Sequence, residues 1–196
     1  LKTATDEGIF LFNADRAADI MRVLAFAEER ELSAVIHGGS EAWMVAESLA
    51  AANVAVILNP LKNLPENFES LGARLDNAAI LHKANVRVIF SSGETHNARK
   101  VRQLAGNAAA NGLPHSAALA AISSTPAAVF GGEPRSLSQG ARADLVIWSG
   151  DPLEVTTQAE HVILSGVPDT MVSRQTLLRD RYLDEGTDMP RAYTKP

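Results

Sequence analysis

Short apolar runs alternate with longer amphipathic stretches along the first two-thirds of the chain. Ile9 to Phe12, Ala34 to Ile36 and Val54 to Leu58 are continuous apolar runs of strand length, and Val86 to Phe90 is a fourth predicted strand, apolar apart from Arg87. Between them the apolar positions recur at helical spacing. Ala17 to Glu29 places Ile20, Leu24 and Ala27 on one stripe, and Glu69 to Ala84 does the same with Leu71, Leu75, Ala78 and Leu81. Ser40, followed by Glu41, suits the start of a helix running through Ala52, because a hydroxyl accepts from an orphan amide and an acid favours the positive dipole end. A further helix is predicted from about Asn97 to Asn111, with Gly112 at its C′ position. Strands that read as unbroken apolar runs, alternating with helices, argue for a parallel sheet with right-handed crossovers.

The pattern changes after Pro114. Ala117 to Ile122 reads as a short helix, Pro126 to Phe130 as a turn, and Gly131-Gly-Glu-Pro134 with the Gly140 loop as a domain boundary. Leu145 to Trp148 and His161 to Leu164 are predicted strands of an all-β appendage. Ser173 to Tyr182 reads as a charged helix, and the residues beyond Asp184 as an extension. The expected organisation is therefore 1–131, 132–172 and 173–196. Trp43, Trp148 and the leucine and alanine stripes are expected in the core.

Composition narrows the range of partners. At 196 residues and 46% hydrophobic content the chain can bury a core, but a full (β/α)8 barrel alone needs roughly 250 residues. A formal charge of −5 disfavours nucleic acid and anionic membrane. No run of about 18 apolar residues is present, so no helical membrane span is expected. Without cysteine there are no disulfides and no thiolate metal sites. The opening Leu1-Lys-Thr-Ala-Thr-Asp lacks a signal-peptide pattern and a starting Met, which suggests a trimmed chain or a piece of a longer one. A soluble chain is expected, and the compartment stays open.

In parallel α/β architectures the working residues lie just past the C-terminal strand ends. That rule selects Asn13-Ala-Asp15-Arg16, His37, Asn59-Pro-Leu-Lys62 and Glu94-Thr-His96-Asn97. His37 can serve as a metal ligand or cap the next helix. Glu94 and His96 can act as acid/base groups, as ligands, or as a solvated loop. Asp15, Arg16 and Asp19 fit an ion-paired helix start. His82, His115 and His161 have no partner at a useful spacing and read as structural.

Gly140-Ala-Arg-Ala-Asp-Leu-Val-Ile-Trp148, closed by Gly150-Asp-Pro-Leu153, resembles the C-terminal signature of the amidohydrolase superfamily. The order of Ala14-Asp-Arg-Ala-Ala-Asp-Ile20, Val35-Ile-His-Gly38, Val56-Ile-Leu-Asn-Pro-Leu61, Gly112-Leu-Pro-His-Ser-Ala-Ala-Leu119 and Ser124-Thr-Pro-Ala127 extends the resemblance from about Ile9 to Tyr182. It is nearest to the imidazolonepropionase-like branch. The resemblance implies the C-terminal half of a TIM-like barrel, strands five to eight in about four β/α units, plus a small β-sandwich segment. It also implies hydrolysis of carbon–nitrogen bonds in a small-molecule substrate, assisted by a divalent metal, zinc or iron. The expected ligands are a His on strand five, a His on strand six and an Asp on strand eight. Asn13 stands at the first position, His37 matches the second, and Gly93 stands at the third. Asn is a poor neutral ligand and Gly has no side chain, so one His is left where zinc needs three or four protein ligands. Glu94 or His96 could move into the vacancy. Asn13, Arg16, Asn59, Lys62 and Asn97 are the expected substrate contacts.

Three readings follow. The chain is the back half of a divergent hydrolase, a non-catalytic relative used for binding or pairing, or a small doubly wound α/β binding domain. A half barrel exposes apolar strand edges at Ile9 and Val86, so self-association, or cover by a missing N-terminal half, is expected.

Overall fold

The computed structural model describes residues 8–62, 64–133 and 136–183. Residues 1–7, which include the opening Leu1 to Asp6, Pro134 at the expected domain boundary, and the tail from Asp184 onward lie outside the described residues. The chain divides into two compact units. The larger holds the residues up to Ala141 together with Trp148–Gln158, and the smaller holds Arg142–Ile147 and the residues from Ala159 onward.

The larger unit is built on four parallel strands in the order β1 (Ile9–Ala14), β2 (Ser33–Gly38), β3 (Ala55–Leu58) and β4 (Val88–Phe90). Chain order and spatial order coincide, as expected for repeated right-handed crossovers. The register aligns Phe12 with Ile36, Ile36 with Val56, and Val56 with Val88. That row faces the helices α1 (Ala17–Glu29), α2 (Ala46–Ala51), α3 (Asn77–Lys83), α4 (Val101–Ala110) and α5 (His115–Ala120). Ile20, Leu24, Leu49, Leu81, Leu104 and Ala118 supply the helical side of this one large core. α1 contributes the predicted stripe of Ile20, Leu24 and Ala27, all buried.

The opposite face is covered differently. Val35, Ala55, Ile57 and Ile89 form a small cluster closed by Val129, from helix α6 (Ser124–Val129). At β1 that cover runs out: Ile9 is 41% exposed, and Leu11, in register with buried Val35, is 54% exposed. The two sheet edges also differ. The Phe90 amide of β4 donates to the Ala121 carbonyl at 3.1 Å, whereas among the described residues β1 meets another strand on one side only.

Several sequence expectations need correction. The helix expected from Glu69 begins at Asn77. Asn67 instead caps a 3-10 turn at Phe68–Ser70, accepting from the Glu69 and Ser70 amides at 3.0 Å each, and the Ser70 hydroxyl oxygen in return accepts from the Asn67 backbone amide. Leu71 and Leu75 are consequently exposed loop residues and not core. Ser40 caps no helix, because its hydroxyl and amide are both engaged by Asp15; the chain turns through a 3-10 segment at Ala42–Val45 before α2. Pro126 falls within the first turn of α6, where its missing N–H costs no hydrogen bond, so that segment is a helix and not a turn. Likewise, a 3-10 segment at Thr95–Lys100 precedes α4 where one continuous helix was expected. Trp43 and Trp148 are half-buried, each with a guanidinium over its ring: Arg74 at 4.6 Å and Arg102 at 4.3 Å.

His115, which has no partner by sequence spacing, does have one in space. Its Nε2 lies 2.8 and 2.9 Å from the two carboxylate oxygens of Asp151. The same segment, Trp148 to Gln158, is held again by Arg102, which donates to the Pro152 carbonyl at 2.8 Å and the Thr157 carbonyl at 3.2 Å. It approaches α4 so closely that a Cβ on Gly106 would stand 2.6 Å from the Leu153 carbonyl oxygen. Gly106 is therefore required on α4, and Leu153 joins the main core.

The smaller unit contains one three-stranded sheet in the order β5 (Leu145–Trp148), β6 (Ala159–Leu164) and β7 (Val167–Pro168), with β6 and β7 antiparallel. Helix α7 (Arg174–Leu183) follows. Among the described residues no helix is long and apolar enough to cross a membrane.

The two faces of the main sheet should respond unequally to truncation. Ile36→Ala removes a fully buried side chain facing the helices and should cost about 2–5 kcal/mol in urea unfolding, while Leu11→Ala should cost less than about 1 kcal/mol. Acid should also weaken the fold in a defined direction. The Leu153 amide and then His115 hold the Asp151 carboxyl below its ordinary 3.8. Arg74 does the same for Asp76. Groups depressed on folding stabilise above their ordinary value, and that contribution is lost as pH falls through the folded value. Thermal midpoints should therefore drop below about pH 3.8, less steeply in Asp151→Asn and Asp76→Asn than in the parent chain.

Candidate functional site

The C-terminal ends of β1 to β4 open onto a cleft of about 320 Å³ in the larger unit. Parallel strands put these ends on one side of the sheet, and the register sets Asn13 directly beside His37. Their side chains meet across the strands, His37 Nδ1 to Asn13 Oδ1 at 2.7 Å. With the amide oxygen accepting, Nδ1 carries the proton, and Nε2 keeps the lone pair that could accept from a ligand.

Asp15 binds the β1 and β2 loops together. Its Oδ1 accepts from the Ser40 amide at 3.1 Å and the Ser40 hydroxyl at 2.7 Å. The main chain repeats the link: the Gly39 amide donates to Ala14 and the Glu41 amide to Asp15, each at 2.8 Å. Glu41 then caps α1 from outside that helix, accepting from the Ala17 amide at 2.9 Å. Gly38 has φ of +107°, and a Cβ there would lie 2.8 Å from Asp15 Oδ1, so only glycine brings the two loops this close.

Asn77, at the start of α3, closes the floor. It is 8% exposed and donates from Nδ2 to the Gly39 carbonyl at 2.9 Å, while its Oδ1 has no partner among the described residues. The far wall is the loop from Leu61 to Asp76. It is anchored by the Asn67–Ser70 capping pair, by Trp43 Nε1 donating to the Gly72 carbonyl at 2.8 Å, and by the paired Arg74 and Asp76.

Of the residues selected from sequence, Asn13, His37, Asn59, Lys62 and Gly93 line this cleft. Arg16, Glu94, His96 and Asn97 do not. Glu94, His96 and Asn97 instead contact one another on the exposed Thr95–Lys100 turn, His96 Nε2 lying 3.2 Å from Glu94 Oε2. Asp15, Ser40, Asn67, Arg74 and Asn77 also line the cleft. Asp15 was among the residues selected by the strand-end rule, and also fitted a helix start, but its bond to Ser40 was not legible. Asn77 carried no signal, because its partner Gly39 lies 38 residues away. Among the described residues, no three His, Cys, Asp or Glu side chains converge to hold a metal ion.

Comparison with known proteins places this geometry. Residues 83–173 match the model of the amidohydrolase family. The chain is 40% identical over 84 residues to the amidohydrolase tasK of Hapsidospora irregularis, covering 39% of this chain and 9% of that protein. The crystal structure of an amidohydrolase from Thermotoga maritima MSB8 superposes with a TM-score of 0.75 at 27% identity, over 82% of this chain and 43% of the other. A prolidase complexed with N-methylphosphonate-L-proline shares the fold, with a TM-score of 0.58 at 19% identity, over 81% and 44% of the two chains. This chain thus spans less than half the length of each of these relatives. The chain is therefore similar to the amidohydrolase family in sequence over residues 83–173 and to an amidohydrolase in fold over most of its length.

Proposed function

We propose that this chain supplies strands five to eight of an amidohydrolase barrel, with β5 to β7 as the returning part of a β-sandwich. On this reading 1–131 is the half barrel, 132–172 the return segment and 173–196 the tail. Unequal helical cover supports it: α1 to α5 pack on one face and α6 alone reaches the other, where a doubly wound domain would carry helical layers on both. The reaction supported by the family is hydrolysis of a carbon–nitrogen bond in a small-molecule substrate, and the nearest branch is imidazolonepropionase-like. The open edge at β1 fits a chain that self-associates or is covered by an N-terminal half.

The family usually binds a divalent metal, zinc or iron in this branch. The residues in this cleft do not fit one. Among the described residues His37 is the sole imidazole lining it, its Nδ1 is already bonded to Asn13, and Gly93 offers no donor. Asn13 and Gly93 therefore mark given-up ligand positions, and the chain alone is inactive as a metal hydrolase. This single observation carries the reading: hydrogen-bonding groups line the cleft, while among the described residues no three His, Cys, Asp or Glu converge there. Glu94 and His96, the alternative acid/base and ligand candidates, are proposed to serve the cleft only if the Thr95–Lys100 turn rearranges.

A second reading, a non-catalytic binding or pairing subunit, is favoured by the same Asn13–His37 contact. That contact makes the pair a hydrogen-bonding platform for a neutral ligand.

Zinc titration tests the assignment of Asn13 and Gly93. The parent chain should retain well under one equivalent of zinc after desalting. The Asn13→His/Gly93→Asp double variant should bind at least tenfold more tightly, because a Cβ at Gly93 meets no atom within 4 Å and Asp tolerates the left-handed backbone there, φ +73°, better than most residues. Stoichiometric zinc in the parent, or no gain in the folded double variant, would contradict it.

A further inference from the structure

The opposite end of the main sheet carries a second cavity. Leu32 and Val54 lie just before β2 and β3, away from the strand ends that hold Asn13 and His37. They line a groove of about 580 Å³ between α1 and α2. Its cause is a mismatch between neighbouring helices. α1 has 13 residues and α2 only six, and the methyl groups of Ala51 and Ala52 leave this side of α1 uncovered. Leu24 and Ala27 form a buried floor, and Met21, 42% exposed, stands on the rim. The volume is that of a small-molecule pocket with apolar walls. No residue lines both this groove and the strand-end cleft.

The charge on the rim is of one sign. Glu28 and Glu31, both exposed, line the groove, and no Lys, Arg or His lines it among the described residues. Neither carboxylate has a partner among the described residues. The nearby cations sit with other acids, Arg22 with Asp19 at 4.0 Å and Arg30 with Glu29 at 3.4 Å. The carbonyl end of α1 adds its own negative dipole end, and the last turn of that helix holds no basic residue. Glu31 follows the helix with φ of +54°, held by the Leu32 amide donating to the Ala27 carbonyl at 2.9 Å. Glycine or asparagine ordinarily takes that place, as Asn53 does after α2.

We propose that this groove binds a small organic monocation, an ammonium carried on an aliphatic or aromatic body. The body lies on Leu24, Leu32 and Val54, and the ammonium sits between Glu28 and Glu31. An apolar floor alone would take a neutral hydrocarbon equally well; the two unpaired carboxylates set the sign. An inorganic cation would meet the carboxylates and leave the floor uncovered. The formal charge of −5 on the whole chain also favours approach of a cation.

Calorimetry of the full chain with three ligands of similar shape tests the proposal: 2-phenylethylammonium, 2-phenylethanol and 3-phenylpropanoate. The ammonium should bind about fivefold more tightly than the alcohol at low salt, with the propanoate weakest. Sodium chloride at about 0.5 M should shrink that margin, because exposed charges are screened. The Glu28→Gln/Glu31→Gln double variant should bring the ammonium down to the affinity of the alcohol and leave the alcohol unchanged. Ala25→Leu and Ala51→Leu each fill the groove from an exposed helical position that tolerates leucine, and each should weaken the ammonium about tenfold. Equal affinity for alcohol and ammonium, or a preference that survives the double variant, would overturn the proposal. So would binding unchanged in both leucine variants, or no binding of the ammonium at millimolar concentration.

Discussion

One constraint organises the molecule: a parallel sheet that packs five helices, α1 to α5, against one face. Ile36, Val56 and Val88 share a row against Ile20, Leu49, Leu81 and Leu104, and this core holds the four strands in register. The register in turn brings every C-terminal strand end to one side, which is why Asn13 and His37 touch although 24 residues separate them. The other face has no equivalent helical layer, and its cover stops at Val129, leaving Ile9 and Leu11 in solvent. Parallel sheets are ordinarily covered on both faces. The uncovered portion at β1 is thus where the structure is least self-sufficient.

The cleft inherits its stiffness from the same core. Asp15, Ser40, Glu41 and Asn77 tie the loops after β1 and β2 to each other and to the starts of α1 and α3. These loops are not free to reorganise around a metal without breaking contacts that complete the helix ends. The network joins hydrogen-bonding groups at the strand ends, where among the described residues no three His, Cys, Asp or Glu side chains converge.

The strands and α1 were legible because each is a local pattern. An unbroken apolar run or a 3.6-residue stripe needs no knowledge of what lies opposite, and Leu145 to Trp148 was located to the residue. The segment before α3 was misjudged for the converse reason. Leu71 and Leu75 continue the helical stripe, but Asn67 diverts the backbone into a capped 3-10 turn before any helix can form. In the site, Asn13 and His37 followed from the strand-end rule. Asp15–Ser40, Asn77–Gly39 and His115–Asp151 did not, because each joins residues 25 to 38 positions apart and depends on how the strands are ordered. Ser40 illustrates the ambiguity most plainly: as a sequence residue it suits a helix cap, and in the fold its hydroxyl belongs to Asp15.

The central claim is that the β1 side of the sheet is an unfinished surface that requires cover. Sedimentation velocity of the isolated chain at micromolar concentration tests this most directly, with Leu11→Lys as the paired variant. Association well above the monomer mass of 20.9 kDa is the predicted result, reduced in the lysine variant because a charge on an exposed strand edge opposes pairing. A single monomeric species in the parent chain at all concentrations would contradict the account.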